Sequence, residues 1–141
     1  MYDSNADLVP IIKEVEYLNS FIELQQLRIP QKGFVDLQVS GSMENRTIAP
    51  MLLIPFVENA FKHGDKNQEP GIIIHLKIDS EKLVFTVENY MRSGNQPNGE
   101  ESGGFGLDNI KRRLGLLYPG KHELSIETNN EKYKIELTIH N

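Results

Sequence analysis

The sequence predicts an α/β two-layer sandwich, a mainly antiparallel mixed sheet with helices on one face, plus an N-terminal helix. Three observations predict it. Residues 50–64, PMLLIPFVENAFKHG, carry a helical period, with Leu53, Phe56, Val57, Ala60 and Phe61 on one side and Glu58, Asn59, Lys62 and His63 on the other. Residues 72–78 and 83–88 alternate apolar and polar, as half-buried strands do, with a turn over Asp79 to Lys82. Leu107, Ile110, Leu114 and Leu117 mark a further helix, and two more alternating runs follow it. The predicted order is helix, strand, helix, strand, strand, loop, helix, strand, strand.

The N-terminal helix follows Asp7, with Pro10 where an early helical turn tolerates it. Leu8, Ile11, Val15, Leu18, Ile22, Gln25 and Ile29 are spaced alternately three and four apart, a heptad stripe broken by polar Gln25. Two packings fit the stripe: against its own domain, or against a partner helix in a dimer. Pro30 and Gly33 end the helix. Phe34 to Ser40 alternates as a strand, and 41–46 is a polar loop. Gly64 closes the second helix in the C-terminal role that favours glycine. Residues 90–103 are rich in Gly, Asn, Ser and Glu without periodicity, which fits a functional loop or plain disorder. Pro119-Gly120 closes the third helix. A final hairpin joins 124–128 to 133–139 around Asn129-Asn130, with Tyr133, Ile135, Leu137 and Ile139 facing the core.

Composition narrows the function classes. A length of 141 residues suits one domain with a proper core. A net charge of −5 gives no reason to expect nucleic acid or contact with an anionic membrane. The absence of cysteine excludes disulfides and thiolate metal sites and fits a reducing compartment. No apolar run approaches the roughly 20 residues of a membrane span. Met1 leads into polar YDSNAD, which is not a signal-peptide pattern.

The chemistry concentrates in two stretches. The polar face of the second helix places a carboxylate, an amide, an ammonium and an imidazole on adjacent turns. Asn and Glu oxygens suit Mg²⁺, while Lys62 and His63 suit phosphate oxygens; a solvated helix face explains the same residues. Residues 102–114, SGGFGLDNIKRRL, set Gly104 and Gly106 about Phe105 just before a helix. Glycines let backbone N–H groups approach a phosphate, and a helix N-terminus adds a favourable dipole. Lys111, Arg112 and Arg113 read as a solvated basic face. His75 falls on the outer face of its strand.

Together, VENAFKHG resembles the N box, and GGFGLDNIKRRL the second glycine box, of the ATP-binding domain of sensor histidine kinases, within the GHKL or Bergerat-type ATPase superfamily. The downstream LLYPG is similar to the LytS-like branch. The resemblance covers nearly the whole chain. It implies that residues 1–30 are the tail of a dimerisation and phosphoacceptor region, and 31–141 an ATP-binding catalytic domain with a lid at about 90–105. It implies ATP and Mg²⁺ as ligands, with Asn59 on the metal, Lys62 and His63 on the phosphate side, and Gly104, Gly106 and Leu107 closing over the triphosphate. Glu58 is the candidate base or water-orienting carboxylate. The implied activity is transfer of the ATP γ-phosphate to a histidine upstream, for relay to a response regulator. The implied setting is a cytoplasmic domain of a membrane-anchored sensor, homodimeric when full length.

Two departures stand out. No motif resembling PHFLFN is present, so this segment is expected to begin after the phosphoacceptor and not to phosphorylate itself. The first glycine box, usually like V-x-D-x-G-x-G, reads VENYMRSG. Asn89 stands where the adenine-reading Asp belongs and Met91 where the first glycine belongs. Alternation puts Asn89 on the core face with Leu83, Phe85 and Val87. Two other readings therefore stand beside the kinase domain. One is a degenerate module of the same fold that dimerises or scaffolds without ATP. The other is a stand-alone serine kinase of the anti-sigma type, which the long heptad segment disfavours.

Overall fold

The structure, a computed structural model, describes residues 8–30, 33–65, 70–91, 104–129 and 131–141, with the backbone alone for 104–106. Five strands form the main sheet: β2 (Val35–Ser40), β4 (Ile72–Ile78), β5 (Lys82–Tyr90), β6 (His122–Thr128) and β7 (Lys132–His140). Their order is β2-β4-β5-β7-β6. β2 and β4 are parallel and the remaining pairs antiparallel. The helices are α1 (Ile11–Gln26), α2 (Ile54–His63) and α3 (Gly104–Leu117).

Period-2 alternation decides the layers. Ile72, Ile74, Leu76 and Ile78 of β4 pair in register with Asn89, Val87, Phe85 and Leu83 of β5. Ile135, Leu137 and Ile139 of β7 continue the same face. All of these but Asn89 share one buried cluster with Ile11, Val15 and Leu18 of α1, Phe56, Val57, Ala60 and Phe61 of α2, and Ile110 and Leu114 of α3. The helices therefore cover one face. The other face carries Ile73, His75, Lys77, Thr86 and Glu88 and stays partly open to water. The expected two-layer sandwich is the observed one.

Aromatic rings join the layers. Phe21 of α1 meets Phe61 of α2 edge to face at 6.2 Å between centroids. Phe61 lies 6.1 Å from Phe34, and Phe56 lies 6.2 Å from Phe85. Offset and edge contacts of this kind contribute about 0.5–1.5 kcal/mol each beyond area burial.

Four details go beyond or differ from the sequence expectation. First, Val9 and Pro10 form a short strand, β1, antiparallel to β3 (Thr47–Ile48), so α1 starts after Pro10. Second, Phe34 lies before β2 and is fully buried, while Val35, Leu37 and Val39 share the core face. Third, Ile11, Val15, Leu18 and Ile29 of the heptad stripe are buried within the domain, and Leu8 is 38% exposed. The stripe thus adopts the packing against its own domain at those four positions. Fourth, α2 begins at Ile54, not Pro50, because Met51 takes φ 61 and Pro55 occupies the first turn.

Candidate functional site

α2 carries Glu58, Asn59, Lys62 and His63, four of the candidate site residues. Its apolar face is buried as expected. On its polar face Glu58 and Lys62 are exposed, while Asn59 and His63 are half-buried. Glu58 and Lys62 are four apart, as are Asn59 and His63, so each pair shares a row along the helix. Lys62 and His63 also occupy the last turn, where a cation meets the negative end of the helix dipole.

The helix ends against β5. The Gly64 amide donates to the Ala60 carbonyl at 2.8 Å, and the Asp65 amide donates to the Tyr90 carbonyl at 2.8 Å. Gly64 also bridges to Met91. The backbone of Gly64 is extended, φ −75 and ψ 156, a conformation any residue adopts. The left-handed C-terminal role expected of this glycine is therefore corrected: its requirement is space. A Cβ there would stand 2.6 Å from the Ala60 oxygen and 3.7 Å from the Asn89 side chain. A side chain at residue 64 would crowd the last turn of α2, while its contact with Asn89 of β5 would be an ordinary one.

Asn89 lies beneath this junction, on the core face as alternation requires, and is 3% exposed. Its amide nitrogen donates to the Tyr90 carbonyl at 3.0 Å, which leaves Oδ1 as the acceptor facing other partners. Of the first glycine box, Asn89, Tyr90 and Met91 are described; most of the expected lid, residues 92–103, lies outside the described residues. α3 starts at Gly104, so Gly104 and Gly106 sit inside its first turn and not in a loop before it. Leu107 is the fourth helical residue, half-buried against the core. The first amides of a helix have no intrahelical acceptor, so this turn still offers N–H donors. Among the described residues no group of three His, Cys, Asp or Glu could hold a metal ion.

Sequence reasoning missed three side chains, all directed at the turn that leads into α2. Glu14 of α1 is 3% exposed. Its carboxylate accepts from the amides of Met51 at 3.2 Å and Leu53 at 3.4 Å. α2 has no capping side chain of its own, so Glu14 brings negative charge to its N-terminus from another helix. Arg113, expected in water with Lys111 and Arg112, instead donates through Nη1 to the Met51 carbonyl at 3.0 Å and through Nη2 to the Pro50 carbonyl. The Tyr118 hydroxyl accepts from the Ala49 amide at 2.9 Å. Burial raises the Tyr118 phenol above its ordinary value, opposed by the Ala49 donor and by Arg113. A signal for Glu14 existed: it is three residues past Ile11 and four before Leu18, within the buried stripe.

The histidines outside α2 have ordinary structural partners. His75 Nε2 lies 3.5 Å from the Ser40 hydroxyl on the open sheet face. His122 Nδ1 donates to the Tyr118 carbonyl at 2.8 Å, and His140 meets Glu123 at 3.4 Å. Two clefts among the described residues lie away from α2, one of about 340 Å³ by Arg46 and His140 and one of about 460 Å³ by His75 and Lys134.

No family model matches the chain. The sensor protein LytS of Bacillus subtilis is 38% identical over 137 aligned positions, covering 89% of this chain and 23% of that protein. LytS of Staphylococcus haemolyticus is 29% identical over 128 positions, covering 82% and 22%. The sensor protein kinase HptS of Staphylococcus aureus is 23% identical, covering 96% and 29%. The chain thus spans about a quarter of the length of the curated relatives it matches. Among solved structures, the nucleotide-free catalytic domain of the histidine kinase ThkA superposes with a TM-score of 0.65 at 14% identity, covering 94% of each chain. The Acinetobacter baumannii histidine kinase AdeS gives 0.64 at 13%, covering 94% and 66%. ThkA in complex with the response regulator TrrA gives 0.59 at 14%, covering 94% and 41%. The chain is thus related in sequence to sensor proteins named LytS over about a quarter of their length, and it has the fold of histidine kinase catalytic domains.

Proposed function

We propose that this chain is the ATP-binding catalytic domain of a two-component sensor histidine kinase, passing the ATP γ-phosphoryl group to a histidine on an upstream helix for relay to a response regulator. The observation that carries it is the junction of α2 with β5, where the N-box residues end directly above Asn89. The relatives' names as sensor proteins support the reading, as does the neighbour solved with a response regulator. On this reading residues 1–30 lead from the dimerisation and phosphoacceptor helices of a homodimeric, membrane-anchored sensor. Among the described residues no helix is long and apolar enough to cross a membrane.

The roles follow from donor chemistry. Asn59 offers one amide oxygen, and no carboxylate cluster surrounds it among the described residues. That donor set fits a Mg²⁺ that travels with the nucleotide and keeps most of its waters, not a resident ion. When bound, the ion neutralises phosphate charge. Lys62 and His63 lie on the phosphate side, and the first-turn amides of Gly104, Gly106 and Leu107 supply neutral donors. Glu58, exposed, is available to accept a proton or orient the attacking group. Phosphoryl transfer asks mainly for positioning and charge neutralisation, which these groups provide. Oδ1 of Asn89 reads the adenine amino group. Because Asn89 is 3% exposed, the groups around it must part for adenine to enter.

Calorimetry of Mg-ATP against wild type and Asn59→Ala tests the reading. Binding that the substitution weakens without unfolding the protein supports it. Absence of nucleotide binding by the wild type sinks it and favours a degenerate module that dimerises or scaffolds.

A further inference from the structure

The turn at 49–53 is held in an unusual way. Met51 sits in the left-handed region at φ 61 although it is not glycine. Such a conformation is strained and persists only where the surroundings over-determine it. Here three side chains from outside the turn take up five of its backbone groups. Glu14 holds the amides of Met51 and Leu53, Arg113 holds the carbonyls of Pro50 and Met51, and Tyr118 holds the amide of Ala49. The three come from α1, α3 and the residue just beyond α3. A buried carboxylate this far from water is stable only with donors in place, and the turn supplies them.

The connectivity gives the arrangement a purpose. Arg113 lies nine residues after Gly104, so a single rigid helix of about 13 Å joins the clamp to the glycine-bearing turn. Asn59 and His63 lie one to three turns along α2 from the clamped end. The clamp is therefore the fixed point from which both phosphate-side elements project.

We propose that Glu14 and Arg113 are positioning residues for the nucleotide site: by fixing the turn before α2 they set the polar face of α2 in register with the first turn of α3. Neither residue touches ligand. The proposal rests on the Mg-ATP reading above. Tyr118 anchors the outer end of the same turn.

The test uses Glu14→Gln, Arg113→Lys and the double variant at a temperature where melting curves show each folded. Glutamine keeps one acceptor oxygen, and lysine keeps charge but replaces the planar two-nitrogen fork with a single ammonium nitrogen. Each single variant should weaken Mg-ATP about 3- to 30-fold, the range for mutations that act through a packed network. The double variant should lose less than the product of the two, because both act on one turn. Adenosine, which meets Asn89 but not the phosphate groups, should bind within about twofold of wild type, since no direct contact links it to the clamp. Unchanged Mg-ATP affinity, or equal losses for adenosine and Mg-ATP, would overturn the proposal and leave the clamp a stabilising contact only. Should the wild type bind neither ligand, the Mg-ATP reading fails separately. The clamp is then judged by amide exchange in the ligand-free protein. Faster exchange at both Asn59–His63 and Leu107–Ile110 in Arg113→Lys upholds the coupling; faster exchange confined to residues 49–53 refutes it.

Discussion

Replacing Gly64 with alanine probes the last turn of α2, beside its junction with β5. The added Cβ would stand 2.6 Å from the Ala60 carbonyl oxygen, well inside the 3.4 Å at which ordinary contact begins. That oxygen is backbone and already accepts the Gly64 amide at 2.8 Å, so relief requires moving the end of α2 or stretching its last hydrogen bond. Overpacking of this sort costs about 1–3 kcal/mol. Weakening the hydrogen bond adds about 0.5–1.5 kcal/mol. Alanine offsets about 0.4–1 kcal/mol by restricting the unfolded chain, because its φ here is acceptable. The net is a loss of about 0.5–4 kcal/mol, which for a domain of this size lowers Tm by about 2–12 °C. Gly115→Ala is the matched control, since nothing lies within 4 Å of a Cβ built at that helical position. It should raise Tm by about 2–3 °C, the gain of alanine over glycine in a helix interior. Thermal melts of the two variants beside wild type decide the matter. A Gly64→Ala protein that melts with or above wild type would refute the crowding of residue 64 against the last turn of α2.

Further outcomes follow from single side chains. Asn89→Asp should tighten ATP about five- to thirtyfold, because a charge-assisted acceptor gains about 1–2 kcal/mol over a neutral one, and Asn89→Ala should weaken it. Equal affinity in all three proteins by calorimetry would remove Asn89 from the adenine site. Asp79 accepts from the amides of Glu81 at 2.8 Å and Lys82 at 2.9 Å, and these donors hold its carboxyl below the ordinary 3.8. A depressed carboxyl stabilises the fold fully above its unfolded value and loses that contribution as pH falls through the folded value. Asp79→Asn should therefore flatten the stability profile on the acid side of 3.8, while an unchanged acid limb in urea titrations would discount the turn.

The layers were legible in the sequence because burial follows period. Leu83, Phe85, Val87 and Asn89 alternate, and all four lie on the core face. The polar face of α2 was legible for the same reason at period 3.6. The start of α2 was not. Pro50 to Leu53 continues the apolar pattern, and nothing local announces that Met51 turns left-handed; Glu14 and Arg113, remote in sequence, hold it there. Arg113 sits in a basic triplet beside Lys111 and Arg112, and only the fold shows that its neighbour in space is a pair of carbonyls. The requirement for glycine at 64 was visible, but its reason was not, since the conflict is with the carbonyl four residues back in an extended, unexceptional backbone. Composition and period report on burial; contacts between distant polar groups leave a weaker trace.

The central claim is that the polar face of α2 meets the phosphates of Mg-ATP. Isothermal calorimetry of Mg-ATP with wild type and with Asn59→Ala tests it most directly. Loss of one metal-ligating oxygen should weaken binding about tenfold or more, within the range for a hydrogen bond or ligand to a charged group, while Tm holds within about 2 °C because Asn59 is only half-buried. A folded Asn59→Ala protein that binds Mg-ATP as tightly as wild type would contradict the account.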